Sequence, residues 1–170
     1  MMEKKNRREK VLTGLFLFYL AAMTWIIVFK MEFSFQNLMM DTRSLNLIPF
    51  RGARIVNGRV DTTEMIQNVL VFCPFGIYAG VLWKNWKVSE KILAFFSVSL
   101  IYEIIQYTFA LGRADITDLM ENTLGGILGL IVYWGIARLC RKEDRTQKVI
   151  LVCAAAASIA MAGLLTVLLL

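Results

Sequence analysis

The chain has 170 residues, of which 58 % are hydrophobic, carries a formal net charge of +6 and contains no histidine. A soluble domain holds roughly 45–50 % apolar residues, and here the excess is gathered into long runs, which excludes a soluble globular fold and points to an integral membrane protein. The missing imidazole removes the common zinc, haem and histidine-base chemistries; the basic residues sit at the ends of apolar runs, so the charge reads as topology and not as a nucleic-acid surface.

In chain order, residues 1–10 form a basic start, and the run Val11 to Phe29 predicts a first transmembrane helix. It is longer than a signal-peptide core and no small-x-small cleavage site follows, so an uncleaved span is expected. An outer loop over residues 30–64 comes next. Its length exceeds that of a simple connection, and its apolar segment Asn46-Leu-Ile-Pro-Phe50 is expected to dip into the membrane interface over the polar groups below it. Pro49 stops any helix begun before it.

The second span, Met65 to Trp83, carries Asn68 one turn below its outer end and Pro74 at its middle. A short basic link from Lys84 to Lys91 leads to the third span, Ile92 to Ala110, with Glu103 and Gln106. The turn Leu111 to Thr117 holds Arg113 and Asp115; the fourth span, Leu119 to Leu139, is preceded by Asp118 and contains Asn122, Gly125, Gly126 and Gly129. After a basic link from Arg138 to Lys148, the last span is Val149 to Leu170. Each run approaches the roughly 20 residues that cross the hydrocarbon, which predicts an all-α polytopic membrane bundle of about five transmembrane helices.

With five spans the three basic segments share one side, and the positive-inside rule makes that side cytoplasmic, N-terminus in and C-terminus out. Arg43, Arg51, Arg54 and Arg59 in the outer segment oppose this, tempered by Glu32, Asp41, Asp61 and Glu64. Cys73, Cys140 and Cys153 fall in spans or near a cytoplasmic end, where a disulfide is not expected.

The polar residues of three helices then converge in the outer half of the membrane. At the helical rise per residue, Glu103 lies about 10 Å below Ala110, and Gln106, Asn68, Asp118 and Asn122 fall at neighbouring depths. An ionisable group there faces the bundle or a wet cavity and needs a partner. Glu103 either bridges helices through Gln106, Asn68 or Asn122, or serves as proton carrier, general base or ligand for a cationic group; Glu103 and Asp118 are the candidate catalytic acids. Arg113 suits a two-pronged grip on phosphate or carboxylate, and Asp115 or Asp118 suits the N-cap of the fourth span. Glu103, Asp115 and Asp118 together offer oxygen ligands for a hard cation such as magnesium, but no motif specifies a metal and no cofactor is called for. Asn46, Asn68, Gln106, Arg113, Asp115 and Asn122 are candidate binding residues. Pro49, Pro74 and the small-residue seam of Gly125, Gly126 and Gly129, which lets another helix approach closely, are structural.

Asn46-Leu-Ile-Pro-Phe50, Asn68-Val-Leu-Val-Phe-Cys-Pro-Phe-Gly76, Glu103-Ile-Ile-Gln106, Arg113-Ala-Asp-Ile-Thr-Asp118 and Asn122-Thr-Leu-Gly-Gly126 occur in this order. Together they resemble the VanZ-like family of bacterial membrane proteins, over a core spanning residues 45–139. The family is named for a member associated with teicoplanin resistance in glycopeptide-resistance gene clusters. The resemblance implies a protein of the Gram-positive cell membrane that alters sensitivity to lipoglycopeptides; it implies no reaction. The expected function is an outward-facing polar pocket that engages a membrane lipid or other amphiphilic envelope molecule, including an acyl-bearing antibiotic. The alternatives are an intramembrane enzyme acting on a lipid-linked substrate and a small proton-linked transporter, which would need to oligomerise. No nucleic-acid partner is expected.

Overall fold

The computed structural model describes residues 2–28, 44–50, 55–56, 59–60, 62–111 and 113–169, and of residues 2–5, 44, 55–56, 59–60, 113, 164–165 and 167–169 only the backbone. Five helices run through them: α1 (Met2–Val28), α2 (Thr63–Leu82), α3 (Val88–Phe109), α4 (Ile116–Cys140) and α5 (Glu143–Leu169). Each is long and apolar enough to cross a membrane, so the chain is a multi-pass membrane protein built as an all-α bundle. The short strands β1 (Ser44–Asn46), β2 (Ile55–Val56), β3 (Arg59–Val60) and β4 (Arg113–Asp115) lie in the connections.

Local chemistry sets the helix ends. At the start of α3 the Glu90 carboxylate accepts the Lys87 backbone N–H at 2.7 Å, half of a capping box. Ala110 ends α3 in the left-handed region at φ 53°, and the following N–H of Leu111 returns to the Gln106 carbonyl at 2.9 Å. Asp115 caps α4, accepting the Thr117 N–H at 2.9 Å. Arg141, at φ 57°, terminates α4. Helix α5 then begins at Glu143, ahead of the expected Val149, because Glu143 and Asp144 in its first turn complement the positive end of the helix dipole. Most of the charged stretch expected as a link between the fourth and fifth spans is therefore helical, and α1 likewise extends back through the basic start.

Helices α2 and α4 pack most closely. A β-carbon on Gly76 would lie 2.7 Å from the Leu130 nitrogen and 2.8 Å from the Gly129 α-carbon, so this crossing admits backbone against backbone only. Gly125 lies beneath Val69 and Phe72 of α2, while Gly126 meets the ring of Phe95 on α3. Around the crossing an aromatic core is buried: Phe75 meets Phe95 edge-on at 5.0 Å, Phe72 at 6.1 Å and Phe16 of α1 at 5.6 Å.

One end of the bundle is laced by ion pairs. Arg8 binds Asp144, Lys84 binds Glu143 and lies 3.8 Å from Glu9, and Lys148 binds Asp144 at 2.8 Å. These pairs bring together the start of α1, the α2–α3 link and the start of α5. At the opposite end, β1 and β4 pair in parallel, Ser44 with Arg113, Leu45 with Ala114 and Asn46 with Asp115. β2 and β3 form a two-residue antiparallel pair, Ile55 with Val60 and Val56 with Arg59.

Candidate functional site

The polar residues collect at the strand-bearing end, in separate linked groups. In the first, Glu103 on α3 accepts the Asp115 backbone N–H at 2.8 Å through Oε2. The Asp115 side chain divides its oxygens: Oδ1 caps α4, and Oδ2 accepts the Asn46 amide at 2.9 Å. Asn46 in turn accepts the Ile48 N–H at 3.2 Å, bending the chain into the Pro49 turn, and the Phe50 N–H donates to Thr117 Oγ1 at 3.0 Å. The segment expected to lie over the polar groups is thus pinned to β4 and α4 by backbone pairing and by Asn46. Leu45, Leu47, Ile48 and Phe50 remain exposed, as suits residues at a membrane interface.

The second group joins α2 to α4. The Asn68 amide donates to Asp118 Oδ1 at 3.1 Å and to Glu121 Oε2 at 3.0 Å. Asp118 is therefore partnered by α2, and the capping role belongs to Asp115. The third group is buried between α4 and α3: Asn122, 0 % exposed, donates to Ser99 Oγ at 2.9 Å. Ser99, Glu103 and Gln106 form one buried face of α3.

Gln106 does not partner Glu103. Its amide donates to the Ile27 carbonyl at 2.8 Å, in the last described turn of α1. Glu103 also differs from expectation: it closes the α3–α4 turn onto backbone and does not bridge to Asn68 or Asn122. Arg113 contributes backbone to β4, and its side chain lies outside the described residues. The cation arrangement of Glu103, Asp115 and Asp118 is not assembled, since no group of three His, Cys, Asp or Glu side chains among the described residues has metal-binding geometry.

Glu121 escapes the depth argument applied to Asp118 and Asn122, yet it follows Asp118 by three positions and shares its helix face. That spacing was the available signal. Ser99, four positions before Glu103, carried the same one. Beside this group an apolar groove of about 1040 Å³ runs between α2 and α4, walled by Met65, Ile66, Val69, Phe96, Leu124 and Ile127, with Glu121 at its polar end. A carboxylate beside a large apolar trough suits an amphiphile, holding a polar group at one end and hydrocarbon along the rest.

The family model VanZ/LLP1 matches residues 16–141, which contain all of these site residues. Protein VanZ of Enterococcus faecium is similar, 36 % identical over 139 residues that cover 81 % of this chain and 82 % of its own. No solved structure matches the chain. The motifs, the bundle that holds them and the extent of both matches agree: the chain belongs to the VanZ/LLP1 family.

Proposed function

We infer that this protein binds an amphiphilic molecule of the cell envelope at the outer end of its bundle and thereby alters sensitivity to acyl-bearing glycopeptides such as teicoplanin. The observation that carries the reading is the adjacency of the Asn68–Asp118–Glu121 group to the apolar groove between α2 and α4. Its volume lies at the top of the roughly 300–1,000 Å³ usual for ligand sites. The outward orientation follows from charge: the ion-paired basic segments gather at the other end, which the positive-inside rule assigns to the cytoplasm.

Enzymatic and proton-transport readings draw less support. Glu103 is engaged by a backbone N–H and Asp118 by the Asn68 amide, so both act as positioned acceptors.

Leu124, half exposed on the groove wall, offers the direct test. Purified wild-type protein should retain a fluorescent acyl-bearing glycopeptide, and Leu124→Trp, which fills the groove, should lose most of that binding. Arg113→Ala tests whether an anionic group of the ligand is held. In cells the expected effect is on a glycopeptide with an acyl chain and not on one without. Undiminished binding by Leu124→Trp overturns the reading.

A further inference from the structure

Glu121 is 6 % exposed and uses Oε2 to accept from Asn68, while its Oε1 is buried with no hydrogen-bond partner among the described residues. A buried carboxylate oxygen left unsatisfied is costly, and Glu121 is one of the residues that line the groove. Among the described residues the charge around it has one sign. Asp118 shares the same Asn68 amide, and Glu64 and Asp115 lie within Coulombic range. Among the described residues no lysine or arginine lines the groove. The groove runs along helices long and apolar enough to cross a membrane, where hydrocarbon is the surrounding medium.

We propose that the acidic end of this groove takes the primary ammonium of a membrane-lipid headgroup, anchored on the Glu121 carboxylate, with the lipid's acyl chains along the α2–α4 groove. The inference rests on the reading of this groove as an amphiphile site and names the class of lipid it prefers. Ionised carboxylates only accept hydrogen bonds, and an ammonium brings three donors with its charge. A quaternary ammonium brings the charge without a donor. A headgroup that is anionic overall meets like charge, and a neutral polyol brings donors without the attraction.

The test uses the full chain in nanodiscs containing trace phosphatidylethanolamine, phosphatidylcholine or phosphatidylglycerol, each with the same photoactivatable acyl chain. Crosslinks are counted in peptides covering residues 65–70 and 119–127. The ethanolamine lipid should label the groove about tenfold more than either of the others, the size of one charge-assisted hydrogen bond. In Glu121→Gln that advantage should fall to parity while choline-lipid labelling stays the same. Equal labelling by all three lipids in the wild-type chain overturns the headgroup assignment and leaves the amphiphile site standing. Absence of groove labelling by every lipid overturns both. An ethanolamine advantage that survives Glu121→Gln removes Glu121 as the anchor. The wild-type comparison requires no variant to fold.

Discussion

Gly129 of α4 stands directly beneath the backbone of Cys73 on α2, where a β-carbon would fall far inside van der Waals contact with the Cys73 carbonyl oxygen and 2.9 Å from the α-carbon of Gly76. No side chain can yield there, because both atoms belong to a helix backbone. Gly129→Ala therefore forces α2 and α4 apart, and with them the Asn68 link to Asp118 and Glu121. The expected outcome is a large drop in melting temperature in detergent, or loss of folded protein. Gly135, with open space where its β-carbon would be, is the control: Gly135→Ala should be neutral or stabilising by up to about 1 kcal/mol through helix propensity. Fluorescence-detected thermal unfolding of the two variants separates them.

The Glu103 carboxylate holds the Asp115 N–H, a bond that requires an acceptor oxygen at this position. Glu103→Gln keeps an acceptor and should leave the α3–α4 turn folded, with some weakening because charge-assisted bonds are about twice as strong as neutral ones. Glu103→Leu removes the acceptor. Exchange of the Asp115 amide should then accelerate by about tenfold or more, read by hydrogen–deuterium exchange in nanodiscs. Equal protection in the leucine variant would show that the bond is not what orders this turn.

The two residues show what was legible in the sequence. Gly129 and the transmembrane helices follow from composition, since long apolar runs and small-residue seams have a physical meaning independent of the rest of the chain. The similar depths of Asn68 and Asp118 are also legible, but their meeting is not, since the sequence offered Asn68 as a partner for Glu103 and depth alone does not say which helix faces touch. The pairing of β1 with β4 is not legible either: it joins two three-residue segments whose Asn46–Asp115 bond spans 69 positions, and nothing local marks the register. The partner of Gln106 was hidden for another reason. Its acceptor is the Ile27 backbone carbonyl, and which side chain reaches a backbone carbonyl of a neighbouring helix depends on how the two helices pack. Glu121 was legible from its spacing to Asp118, but which of its oxygens is satisfied emerges only from the packed structure.

Ala110 ends α3 at φ 53°, a conformation that costs an L-residue with a β-carbon roughly 1–2 kcal/mol. Its place is held by the Leu111 N–H bond to Gln106, which is itself bound to α1. Ala110→Gly relieves the strain without touching these bonds. The variant should be more stable by up to about 1 kcal/mol, allowing for the added chain entropy of glycine. Ala110→Val should be destabilised, since a β-branched side chain fits this region worse still. Melting curves for the pair check the sign.

The five spans among the described residues put the two ends of the bundle's chain path on opposite sides, and the ion-paired end predicts which is which. Arg8, Lys84 and Lys148 share that end with Glu9, Glu143 and Asp144, and by the positive-inside rule the flanking Lys and Arg residues should place it in the cytoplasm. Alkaline phosphatase fused after Leu170 should be active, whereas a fusion truncated after Lys142, in the α4–α5 turn, should be inactive. A fusion after Thr62, at the outer end of α2, should be active again. Reversal of the pattern would turn the Asn68–Asp118–Glu121 group toward the cytoplasm and leave the site unable to meet a ligand from outside. Adding lysines at the outer end of α2 tests the cause, because the orientation should weaken as the charge difference between the two ends falls.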